Sequence, residues 1–168
     1  KAITFISENG YKEIRKWKEL NINVAKIANF FKKENIKKND RVAAYLPNLI
    51  QTVETFIATA SLGAIWSSCS PDFGIDGVNE RFLQIKPKVL IIADRYYYNG
   101  KEINIIKRLP AILKKVKSIK KVIVINYPGK KYIKFKKINN IKFFFWKKIL
   151  KTKNKKLVFK KFDFDQNL

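Results

Sequence analysis

At 168 residues, with 46% hydrophobic and 14% aromatic side chains, the chain can bury a core of its own, which excludes a disordered polypeptide. A net charge of +24 raises nucleic acid as a partner, while a single cysteine and no histidine exclude an internal disulfide and the usual zinc patterns. No run approaches the roughly 18–20 apolar residues of a membrane span, and without histidine the commonest general base near neutral pH is missing.

Residues 2–7 and 11–17 alternate around Glu8-Asn9-Gly10. Asn-Gly between two such runs predicts a hairpin, because both residues tolerate positive φ. Leu20, Val24, Ile27, Ala28 and Phe31 then recur at helical spacing, and Lys32, Lys33 and Glu34 end that helix in solvent. "RVAAYL" (41–46) reads as a buried strand closed by Pro47. Asn48 is the expected cap of the following helix, with Val53, Phe56, Ile57 and Ala60 on its inner face. "GAIWSSC" (63–69) is the next strand, and 77–85 a weaker helix with Val78, Phe82 and Ile85 on one side. "KVLIIA" (88–93) and "KVIVIN" (121–126) are nearly uninterrupted apolar strands, as in a parallel sheet covered on both faces. Between them, 103–116 is helical in pattern despite Pro110.

Helices alternating with short apolar strands predict an α/β fold built of βαβ units around a mostly parallel sheet, with helices flanking it. After Tyr127-Pro128-Gly129 the pattern gives way to a lysine-rich connector. A short amphipathic segment at 144–150 and a strand at 157–162 are expected to interrupt it. The expected division is an α/β portion at 1–127 and a connecting segment of the same domain at 128–168.

The charge is unevenly spread: residues 1–100 carry a net +5 and residues 101–168 a net +19. Thirty-two of the 37 basic residues are lysine, and Ile and Asn are abundant as well. Those three residues are encoded by A/T-rich codons, so genome composition is one sufficient source of much of the bias, without selection for binding. Base edges and phosphate forks favour arginine, so nucleic acid is the weaker reading of the charge, and a small basic nucleic-acid-binding module is kept as the alternative.

The stretch "WSSCSPDFG" (66–74) passes without one basic side chain. Ligands of open α/β sheets bind beyond the carboxyl ends of strands, and this loop lies at such an end. Pro71 fixes the turn, Gly74 opens it, and Asp72 is the expected cap of the next helix. Tyr96, Tyr97 and Tyr98 read as a surface loop between strand and helix. Arg41 and Arg81 are expected to tie helix ends to carboxylates such as Asp40, and Cys69 to fill space, since no base lies near it in the sequence.

"DRVAAYLPN", "TASLGAIWSSCSPDFG" and "QIKPKVLIIADRYYYNGK" together resemble the acyl-CoA synthetase branch of the adenylate-forming enzymes, and within it the acetoacetate–CoA ligases. The resemblance runs collinearly over residues 1–127. It implies a doubly wound α/β domain and a two-step reaction: acetoacetate attacks the α-phosphate of ATP, and the thiol of coenzyme A then displaces AMP. For the whole enzyme it implies ATP, Mg²⁺ and coenzyme A, small-molecule partners, no membrane, and a cytoplasmic setting. Carried over residue by residue, Pro71, Asp72 and Phe73 would border the pantetheine arm of coenzyme A. Tyr98, Asn99, Gly100 and Lys101 would lie near its nucleotide 3′-phosphate. Related acetyl-CoA synthetases have Gly-Gly-Phe at the first place and arginines where this chain has Tyr98 and Lys101. No Gly-rich phosphate loop occurs in the chain, so no catalytic residue and no metal ligand is assigned. With the missing methionine, this leads to the expectation of an N-terminal piece of a longer enzyme, inactive alone and holding no cofactor tightly.

Overall fold

The computed structural model describes residues 1–136, 138, 140–152 and 156–167. The first hairpin pairs β1 (Ile3–Ile6) with β2 (Lys12–Arg15), Ile3 opposite Arg15 and Ile6 opposite Lys12. Only Gly10 of its Asn-Gly pair takes positive φ, at 81°. Next comes α1 (Trp17–Lys33), with all five residues of the expected stripe, Leu20 to Phe31, buried.

Five parallel strands make the main sheet, in the order β4 (Ile65–Cys69), β3 (Arg41–Tyr45), β5 (Val89–Ala93), β8 (Lys121–Ile125), β9 (Lys142–Phe145). All five residues of β5 are buried, as expected of an apolar run in mid-sheet. Truncating Ile92, fully buried there, to alanine would cost about 2–5 kcal/mol. The chain steps from β3 out to β4, then returns past β3 to β5 and on to β8. Right-handed crossovers therefore put α2 (Ile50–Ala60) on one face and α3 (Ile75–Ile85) and α4 (Leu109–Lys115) on the other. The packing agrees: α1 touches α2 and α5 (Trp146–Leu150), while α3 touches α4. The sheet is doubly wound, as expected.

Several expectations differ from the structure. Asn48 does not cap α2; Leu49 holds the cap position, and Thr52 Oγ1 donates to Pro47 O at 2.8 Å. The inner face of α2 is Ile50, Gln51, Glu54, Thr55, Ala58 and Thr59, while Val53 and Phe56 are exposed. Polar residues occupy that face cheaply because Thr55 and Thr59 return their hydroxyls to the carbonyls of Gln51 and Thr55, each at 2.8 Å. Residues 95–104 form a second hairpin, β6 (Arg95–Tyr98) with β7 (Lys101–Asn104), so Tyr96–Tyr98 are strand and the helix begins later. A 3₁₀ turn at Ile106–Arg108 leads into α4, with Pro110 harmless in its first turn. Finally, 157–162 is not a strand; Phe162 lies against Gly63, and Gln166 Nε2 donates to Asn39 Oδ1 at 2.8 Å. Within 128–168, β9 adds a strand to the main sheet beside β8.

Asp94, fully buried after β5, fixes the loop beyond β8. Its carboxylate accepts from Tyr127 N at 2.9 Å and Ile133 N at 3.3 Å.

Candidate functional site

A cleft of about 300 Å³ opens at the carboxyl ends of β3, β4 and β5. Leu46 and Pro47 follow β3, Ser70 to Asp72 follow β4, and Tyr96 to Tyr98 follow β5, all lining it. The connections leaving β3 and β5 run to opposite faces of the sheet, so their parting opens a crevice, the usual ligand position in a doubly wound fold.

The 70–73 loop is held from three sides. Locally, Ser70 Oγ donates to Asp72 Oδ2 at 2.7 Å and accepts from Asp72 N at 3.3 Å. From below, the fully buried Tyr45 donates its hydroxyl to Phe73 O at 2.8 Å. Pro71 O, 3.2 Å from that hydroxyl, takes a better donor at 2.8 Å in Arg108 Nη1, which also reaches Tyr45 Oη. A single phenolic proton cannot serve two carbonyls, so the guanidinium completes the clamp. From the side, Tyr96 Oη donates to Asp72 Oδ1 at 2.9 Å. Burial, aided by the Asp72 carboxylate, pushes the Tyr96 phenol up to about 12, so it stays a donor. Burial likewise raises Tyr45, against the pull of Arg108.

Asp72 thus fastens the loop and does not cap α3; Gly74 is the cap residue, with an ordinary φ of −62°. Phe73 is 45% exposed, and the Arg81 guanidinium lies 5.4 Å from its ring centroid, so Arg81 serves this loop and not a helix end. Asp40 is met by Lys88 at 2.5 Å, not by Arg41. Cys69 is buried, and burial raises its thiol pKa, as befits a space-filling residue.

Asn99 and Gly100 form the two-residue turn between β6 and β7, both with positive φ, at 49° and 70°. That is the geometry Asn-Gly supplies at least strain. Tyr97 Oη donates to the Glu102 carboxylate, and this bond, with Arg95 beside it, holds that carboxyl below its usual range. Tyr98, 59% exposed, reaches the cleft; Lys101 is exposed one step past the turn. The structure therefore brings Pro71, Asp72 and Tyr98 to one cleft. Asn99, Gly100 and Lys101 form the end of the hairpin that carries Tyr98, and Phe73 lies beyond the lining. Tyr45, Tyr96 and Arg108 were missed as anchors, although "NG" after "RYYY" was a readable hairpin signal. Among the described residues, no cluster of three or more His, Cys, Asp or Glu could hold a metal, and no helix is long and apolar enough to cross a membrane.

The chain is 44% identical over 146 residues to an acetoacetyl-CoA synthetase of Xenopus tropicalis, covering 85% of the chain and 22% of that protein. A Gallus gallus acetoacetyl-CoA synthetase is 46% identical over 129 residues, 76% of the chain and 19% of the relative. The chain thus spans about a fifth of the length of these relatives. The solved acetoacetyl-CoA synthetase from Streptomyces lividans superposes with a TM-score of 0.86 at 29% identity, covering 97% of this chain and 24% of that one. The family model for AMP-binding enzymes matches residues 2–150, most of the chain, so the protein belongs to the AMP-binding enzyme family.

Proposed function

We propose that this chain supplies the coenzyme A rim of an acid–thiol ligase that converts acetoacetate, ATP and coenzyme A to acetoacetyl-CoA, AMP and pyrophosphate in the cytoplasm. One observation carries the reading: the 70–73 loop, with its Pro71 and Phe73 carbonyls clamped, shares the switch-point cleft with Tyr98, and an Asn-Gly turn and an exposed lysine follow Tyr98 in the chain. The substrate follows from the names of the relatives.

The residues fit a thiol cofactor with a flexible arm and a phosphorylated end. Pro71, Asp72 and Tyr98 line a slot whose shape is set by Tyr45, Tyr96 and Arg108, none of which depends on a ligand for its partners. In the proposed arrangement, Pro71, Asp72 and Phe73 border the arm. Lys101 meets the 3′-phosphate as a point charge, where an arginine would fork. Tyr98, Asn99 and Gly100 flank that phosphate. When bound, coenzyme A contributes the thiol that accepts the acyl group. The chain's own contribution is positional: a pre-shaped rim spares the ordering a mobile loop would have to undergo on binding. ATP and Mg²⁺ belong to the same proposal for the whole enzyme.

The test is to express the reading frame that contains these residues and measure acetoacetate-dependent AMP formation. With Lys101→Glu, KM for coenzyme A should rise about tenfold while adenylate formation, read as pyrophosphate release, stays unchanged. No turnover with acetoacetate, or an unchanged KM for coenzyme A, would overturn the substrate or the rim assignment respectively.

A further inference from the structure

The turns of the two hairpins meet. Gly100, in the Asn-Gly turn between β6 and β7, donates its amide proton to Glu8 Oε2 at 3.1 Å, and Glu8 stands in the turn between β1 and β2. We propose that Glu8 is a built-in competitor for the 3′-phosphate of coenzyme A: its carboxylate occupies the Gly100 amide until that phosphate displaces it, and so restrains the preference for a cofactor phosphorylated on its ribose. The inference rests on the rim assignment made above.

The fold brings the carboxylate to this place. Ser7, its neighbour in the chain, is buried, and its hydroxyl lies 2.5 Å from that of Tyr127. Phe5 of β1 meets the same tyrosine ring edge-on, 6.3 Å between centroids, and Tyr127 in turn contacts Tyr97 of β6 at 5.3 Å. The first hairpin is thereby keyed to the second through aromatic contacts, and Gly10 N closes the first turn on Ser7 O at 2.9 Å. Glu8 itself is exposed, so rotation of its own side chain is enough to vacate the amide while the backbone stays in place.

A backbone amide carries one proton. While it serves Glu8, it is closed to a phosphate oxygen. Lys101 follows in the chain, exposed, and neither it nor Glu8 joins an ion pair among the described residues. A phosphate arriving at Lys101 therefore meets an open ammonium, an amide already taken and a negative charge beside both. Displacing Glu8 loses one hydrogen bond, and the displaced carboxylate still repels the newcomer. A ribose hydroxyl in the same position meets no such repulsion and has no need of the amide. Glu8 thus weakens the hold on the phosphorylated form alone. The acyl product carries the same phosphate, so the competitor favours its release as well.

The experiment uses the protein expressed from the whole reading frame and measures Kd by calorimetry for coenzyme A and for dephospho-coenzyme A, which lacks the 3′-phosphate. Glu8→Gln keeps an acceptor for the amide and removes the charge; it should tighten coenzyme A about threefold and leave dephospho-coenzyme A unchanged. Glu8→Ala should tighten coenzyme A at least as much. Asp163→Asn, the same loss of charge at an exposed position beside Phe162, should alter neither ligand. Were Glu8 only a buttress of the turn, Glu8→Gln would change nothing and Glu8→Ala would weaken both ligands; either result overturns the proposal. Equal tightening of both ligands by Glu8→Gln, or tightening of coenzyme A by Asp163→Asn to the same extent, also overturns it. Lys101→Glu separates the two readings. If it weakens coenzyme A while Glu8→Gln has no effect, the rim stands and the competitor falls; if it leaves coenzyme A untouched, the rim assignment fails and takes this inference with it.

Discussion

Glu54 makes stability depend on pH in a chain that has no histidine. The side chain is fully buried on α2; Oε1 accepts from Asn23 Nδ2 at 2.8 Å and faces Arg15 Nε at 2.9 Å, while Oε2 has no partner. Burial lifts its pKa from 4.5 to about 7, against the downward pull of the Asn23 hydrogen bond and the Arg15 charge. Between those two values the folded state holds a proton that the unfolded chain has released. The contribution is therefore fully present below about pH 4.5 and is lost as pH rises to about 7. Each pH unit within that window removes about 1.4 kcal/mol, so crossing it costs on the order of 3 kcal/mol. At this length a kilocalorie moves the melting temperature by about 2–4 °C. Thermal unfolding followed by circular dichroism from pH 5 to pH 8, at constant ionic strength, should show Tm falling by several degrees. Glu54→Gln keeps the Oε1 acceptor and places an uncharged amide where Oε2 is bare, so its profile should be nearly flat. A parent Tm that is flat or rising over this range, or a Glu54→Gln profile parallel to it, would refute the reasoning.

Tyr45→Phe removes the donor to Phe73 O and a partner of Arg108; a loss of about 1–2 kcal/mol should lower Tm by roughly 2–8 °C in calorimetry. Gly129→Ala should cost about 2–3 kcal/mol by denaturant titration, since φ is +73° and the new Cβ would lie 2.6 Å from the Tyr11 ring. Adding Tyr11→Ala should cost less than the sum of the two single changes, because it removes that collision. Asp72→Asn keeps a side-chain acceptor for Tyr96 but not the charge, so Tm should fall by no more than a few degrees while the Tyr96 phenol titrates lower by absorbance.

The sheet was readable because its strands are apolar runs of five or so residues between turn signals; "KVLIIA" and "KVIVIN" sit in mid-sheet as their composition demands. The face of α2 was not readable from periodicity, since Thr55 and Thr59 bury their hydroxyls by bonding back along the helix and Glu54 by meeting a hairpin arginine. Hydropathy registers such residues as solvent-facing. The second hairpin was legible in principle, but the helical spacing of 103–116 masked it; that spacing continues from β7 through the 3₁₀ turn into α4. At the site, the loop residues were visible as a compositional break. Their anchors, Tyr45 and Arg108, lie 26 and 37 residues from Pro71 in the chain, and only the fold joins them.

Tyr97 lines the switch-point cleft and Tyr127 a hollow of about 930 Å³ past β8 and β9, and their rings meet 5.3 Å apart between centroids with planes tilted by 58°. The two chambers thus share one contact between aromatic rings, one ring from the lining of each. Neither chamber is mechanically private. Whatever an occupant of one does to the affinity of the other must be returned by the same factor in the reverse direction.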